Sequence, residues 1–128
     1  MNTANCLGNL QESAWDLQGL LDTVGSDSVL IDSLIKLFVE DSQKRMKNMK
    51  TALSGANFKE LRGEAHTIKG AAGNIRANKI QQWAFQLETS AAKASLIECK
   101  RDLQELENHL ILFYQGWSKA LEHRMSSG

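Results

Sequence analysis

Not one proline stands among the 128 residues of this chain. Proline removes a backbone donor and clashes with the preceding helical turn, and about 5% is average, so its absence favours long helices joined by short turns. The apolar residues recur to match. Phe58, Leu61, Ala65, Ile68, Ala72 and Ile75 follow at intervals of three and four, which lines one side of an α-helix. Ile80, Ala84, Leu87, Ala91 and Ala94 form a second stripe, and Leu103, Leu106, Leu110, Phe113, Trp117 and Leu121 a third. Upstream, Leu30, Leu34, Leu37, Phe38, Met46, Met49 and Leu53 mark a long helix opened by the capping residues Ser26-Asp27-Ser28. Trp15, Leu17, Leu20, Leu21 and Val24 mark a short one closed by Gly25.

These stripes need mutual burial, and short connections make sequential helices antiparallel neighbours. The expected fold is all-α, an antiparallel up-down four-helix bundle with helices over 27–54, 57–76, 79–95 and 97–124. A short additional N-terminal helix over 13–24 caps one end, and the size suits a single domain over 1–128. Trp15, Trp83, Phe85, Tyr114 and Trp117 are expected in the core or at bundle edges rather than in a ligand site.

No apolar run approaches the roughly 20 residues that span a bilayer, and the start lacks the basic and apolar regions of a secretory signal, which points to a cytoplasmic protein. Beginning at Met1 suits a free-standing protein. Cys6 and Cys99 belong to no CxxC pair and are expected as reduced thiols, with no metal site. Neither a GxxxxGK[ST] loop nor an acidic Mg²⁺ cluster is visible, so the chain is not expected to use ATP or to be an enzyme with its own cofactor.

Net charge is zero but unevenly placed: residues 1–43 carry −6, 44–79 carry +7 and 80–128 carry −1. A basic middle segment in a neutral chain suits an acidic protein surface better than nucleic acid or membrane; a merely solvated basic face is the other reading.

His66 lies one residue past the apolar Ala65, at the edge of the stripe, so its ring should reach solvent. Lys69 and Gly70 follow on the same face, Gly73 lies seven residues on, and Arg62 stands one turn before. Mid-helix glycines cost about 1 kcal/mol each relative to alanine, and Gly70 is phased with His66 rather than with the buried stripe. An approaching partner surface explains that better than helix packing. Imidazole is a nucleophile near neutral pH, and a phosphorylated nitrogen would gain negative charge that Lys69 is placed to meet. A positioned cation beside an accessible imidazole is sufficient for one half of a phosphoryl transfer, and the donor must come from elsewhere.

The segment Ala65-His66-Thr67-Ile68-Lys69-Gly70-Ala71-Ala72 resembles the AHxLKG(S/A)(S/A) signature of histidine phosphotransfer domains. The likeness extends to the Gly25-Ser26-Asp27 turn, the Leu30–Phe38 pattern and Ile80 through Leu87-Glu88. It implies a phosphorelay carrier, taking a phosphoryl group on Nε2 of His66 from the phospho-aspartate of a receiver domain and passing it reversibly to another. It implies further that Lys69 neutralises the phosphoryl group, that Gly70 admits the receiver, and that Mg²⁺ sits on the receiver. Response-regulator receivers and a hybrid sensor histidine kinase would be the partners of a monomeric carrier. In some members a Gln or Glu 22 positions after the histidine accepts a hydrogen bond from Nδ1, and Glu88 holds that place; its other reading is an exposed helix acid. The family usually has glycine ten positions after the histidine, where this chain has Arg76, so Arg76 stands near the docking face with added bulk and charge. The alternative is a non-catalytic helical interaction module that keeps the fold without the chemistry.

Overall fold

The structure, a computed structural model, describes residues 16–25 and 27–127. Among the described residues five helices follow one another: α1 Leu17–Val24, α2 Ser28–Ser54, α3 Phe58–Asn74, α4 Asn78–Ala92 and α5 Leu96–Ser127. No strand occurs among the described residues. Helices α2 to α5 close a ring of antiparallel neighbours, which is the expected four-helix bundle. At 1.5 Å per residue, α3 and α4 are only about 26 and 22 Å long, whereas α2 and α5 reach about 40 and 48 Å.

Side chains cap the helices where the sequence offers them. The Asp27 carboxylate accepts from the N–H groups of Val29 and Leu30, both at 3.1 Å. Asn57 accepts from the Glu60 N–H at 3.2 Å while its amide donates to the Glu60 carboxylate at 3.0 Å. Each satisfies donors that the first turn leaves without an intrahelical partner.

The three bundle turns share one backbone solution. Ala56, Arg76 and Ala94 all have positive φ, at 52°, 62° and 55°. Asn57 N–H bonds Ala52 O at 2.8 Å, Ala77 N–H bonds Ala72 O at 2.9 Å, and Ser95 N–H bonds Ser90 O at 3.2 Å. Paired with the bonds from the Ala56, Arg76 and Ala94 N–H groups to carbonyls three residues back, these form three Schellman motifs, in which a left-handed residue ends the helix. Helix α3 therefore stops at Asn74 and α4 at Ala92, two and three residues short of the expected ends at 76 and 95.

The core follows the stripes of α3, α4 and α5, with Leu61, Ala65, Ile68, Ala72, Ile80, Ala84, Leu87, Leu106 and Leu110 all buried. Helix α2 departs from expectation. Its buried line is Ile31, Ile35, Phe38, Ser42, Met46, Met49 and Ala52, while Leu30 and Leu37 are exposed. The first three turns of α2 are apolar on more than one face, and the polar Ser42 interrupts the line that sets the phase. Its hydroxyl is 2.6 Å from the Tyr114 hydroxyl of α5, which satisfies both groups inside the bundle. The Phe38 and Phe113 rings meet edge to face at 5.6 Å beside it. Ala94, expected in the α4 stripe, lies instead in the turn.

Helix α1 caps the end of the bundle at the α3–α4 turn. The Asp16 N–H donates to Arg76 O at 2.8 Å, the Arg76 guanidinium approaches the Asp16 carboxylate at 4.0 Å, and Leu20 is buried. Trp15, Cys6 and Leu121 of the sequence reading lie outside the described residues or side chains. Cys99 is a buried free thiol, pushed up from its ordinary pKa by burial and then by the nearby Asp102 carboxylate.

Candidate functional site

Two short antiparallel helices, α3 and α4, bring residues 22 apart in sequence into contact. His66 stands at the rim of α3 with its side chain 67% exposed, and its Nδ1 lies 2.5 Å from Glu88 Oε2 on α4. Lys69, one turn on, donates from Nζ to the other Glu88 oxygen at 2.7 Å. The Glu88 side chain is only 14% exposed. Burial pushes its carboxyl up, but hydrogen bonds from Lys69 and His66, with their charges, outweigh this and hold it below the ordinary carboxylate value. Glu88 is therefore ionised at neutral pH and only accepts, so Nδ1 of a neutral His66 is the donor. The lone pair then resides on Nε2, at the ring edge away from Glu88.

The expected site residues divide by place. His66, Lys69 and Glu88 form one hydrogen-bonded group, so the reading of Glu88 as a detached helix acid does not hold. Gly70 lies beside them with open space where a Cβ would stand. At Gly73 a Cβ would come within 2.7 Å of the Gln81 side-chain nitrogen, the far end of an exposed, flexible side chain. Arg62 is exposed one turn before His66. Arg76 ends the α3–α4 turn with its guanidinium towards Asp16 of the α1 cap, ten residues along from His66.

Sequence reasoning missed Phe85. It was expected in the core or at a bundle edge, yet it is 56% exposed, and the Lys69 ammonium lies 5.3 Å from its ring centroid. The available signal was its spacing, three residues before Glu88 and hence on the same face of α4. Trp83 lies against the His109 ring at 6.0 Å, and Tyr114 and Trp117 flank the core.

The basic middle segment is partly neutralised within the chain. Arg45 pairs with Asp41 and Glu64, Lys50 with Glu107, and Lys69 with Glu88. Two shallow grooves, one holding Gln43, Lys50 and Tyr114 and the other Lys79, Trp83 and Arg101, do not include His66, whose side chain stands exposed on the side of the bundle. No group of three or more potential metal ligands occurs among the described residues, and no helix there is long and apolar enough to cross a membrane.

Solved structures share this fold. A histidine-containing phosphotransfer protein from Medicago truncatula is 22% identical, with a TM-score of 0.77 and coverage of 95% of this chain and 88% of its own. One from maize is 16% identical, with a TM-score of 0.79 and coverage of 95% and 94%. Histidine-containing phosphotransfer protein B from Pseudomonas aeruginosa is 28% identical over 80% of this chain and 90% of its own, with a TM-score of 0.64. No curated protein sequence matches. The sequence profile of the Hpt domain matches residues 33–116, well over half of the chain and inclusive of the whole His66 group. The chain thus belongs to the Hpt domain family, the histidine phosphotransfer carriers of phosphorelays.

Proposed function

We propose that His66 is the phosphoryl-accepting residue and that the donor and acceptor partners are receiver domains of response regulators. The observation that carries this reading is the orientation of the imidazole: Nδ1 is committed to Glu88 and Nε2 is left as the nucleophile of an exposed side chain. In the transfer, the Nε2–P bond forms as the acyl phosphate O–P bond of the receiver breaks, releasing the receiver carboxylate. The Nδ1 proton stays between the imidazole and Glu88, which stabilises the developing positive charge on the ring. Lys69 meets the phosphoryl oxygens, and Gly70 leaves room for the receiver backbone.

This chemistry asks for no ATP site, cofactor or metal in the chain itself, and Mg²⁺ belongs to the receiver. The same reading makes the protein a monomeric cytoplasmic carrier loaded by a hybrid sensor histidine kinase, with no turnover of its own and no role for nucleic acid or membrane. A purely interacting module would have no use for an imidazole held in one tautomer.

The test is incubation with a phosphorylated receiver, followed by assay for acid-labile, base-stable label. Wild type is expected to take the label and His66→Gln to take none. Normal labelling of His66→Gln would remove His66 from the role.

A further inference from the structure

Phe85 is a large apolar residue left half in water, one turn before Glu88 on α4. It is 56% exposed, and the Lys69 ammonium lies 5.3 Å from its ring centroid while also bonding Glu88 at 2.7 Å. Two seats of different depth hold this ammonium. Glu88 is largely covered, with 14% of its side chain exposed, and by itself would draw the cation inward, away from the Nε2 edge of His66. The ring offers its negative face further out on the same side of α4.

We propose that Phe85 is a positioning residue for phosphoryl uptake: its ring keeps the Lys69 ammonium at the outer rim of the His66 site, where the phosphoryl oxygens arrive. This rests on the reading of His66 as acceptor and adds what holds its partner cation in place. Lysine carries its charge on a flexible four-carbon stem, so the ammonium reaches a defined place only when something besides a single carboxylate restrains it. As the group is loaded, the ammonium turns from Glu88 towards the phosphoryl oxygens without leaving the ring face.

The experiment uses potassium phosphoramidate, a small donor that needs no docking surface. Its P–N bond breaks as the Nε2–P bond of His66 forms, and ammonia leaves. Phe85→Leu keeps an apolar side chain at an exposed position but removes the ring, so the melting temperature should be unchanged. Labelling of His66, followed by phosphorus NMR, is expected to slow about two- to fivefold in Phe85→Leu, the worth of one exposed cation–π contact. Phe85→Tyr should restore the wild-type rate. In Lys69→Ala the Phe85→Leu change should have no further effect, because the ring acts only through the ammonium. The Lys69 ε-methylene protons should be shifted upfield by the ring in wild type and return to ordinary values in Phe85→Leu.

Equal labelling rates in wild type and Phe85→Leu, or no upfield shift in wild type, would overturn the role of Phe85 while leaving His66 as acceptor. Absence of label on wild-type His66 would overturn both.

Discussion

The two nitrogens of His66 have different neighbours, and most of the chemistry follows from that difference. Glu88 fixes the proton on one edge of the ring and, in doing so, leaves the other edge basic and exposed. In the proposed transfer Gly70 makes a separate contribution through absence of bulk. Since a Cβ there meets nothing in the chain itself, Gly70→Gln should leave the melting temperature within about 1 kcal/mol of stability, the helix-propensity scale. Transfer from a phosphorylated receiver should nevertheless slow about tenfold or more, because misplacing the reacting atoms is costly. Unchanged transfer would show that the receiver approaches from another side. Glu88 also links the site to stability. Its folded pKa lies below its unfolded one, so the stabilisation is fully present above the ordinary carboxylate range and is lost as pH falls through the lowered folded value. Urea unfolding between pH 7 and pH 3 should therefore show a shallower loss in Glu88→Gln than in wild type, and parallel curves would contradict the linkage.

Among the elements, α3, α4 and α5 were legible in the sequence because each has one apolar stripe and a polar remainder. Helix α2 was legible in extent but not in rotation. Leucines at 30, 34 and 37 suggested one phase, whereas Met46 and Met49, counted back through Ser42, set another that buries Ile31 and Ile35. A buried polar residue that finds its partner on a distant helix gives no sign of itself in a hydrophobic pattern. The site was legible for a similar reason in reverse. His66, Lys69 and Gly70 lie on one helix and are related by its period, while Phe85 belongs to the site only through tertiary contact. The turns yield a prediction of their own. Three non-glycine residues occupy left-handed backbone at a cost of about 1–2 kcal/mol each, so Ala94→Gly should stabilise the protein by about 1 kcal/mol, read as a rise in melting temperature. Arg76 occupies one of these left-handed places, and it gains an approach to Asp16 that glycine would forgo.

For the molecule as a whole, helices of unequal length matter more than their number. The short pair α3 and α4 carries His66 and Glu88, and the longer α2 and α5 run past the α3–α4 turn to the end that α1 caps. Among the described residues, one end thus has four helices in cross-section and the other fewer. Amide exchange should be slowest in α3, in α4 and in the parts of α2 and α5 around Met49 and Leu106. It should quicken by about tenfold or more in the first three turns of α2, where Val29, Leu30 and Leu37 are exposed. Uniform protection along α2 would contradict this gradient. The catalytically useful half is then the half that breathes least. Thermal agitation concentrated at the far end leaves the spacing between imidazole and carboxylate undisturbed, so a warmed carrier should lose its outer turns before it loses the capacity to be loaded.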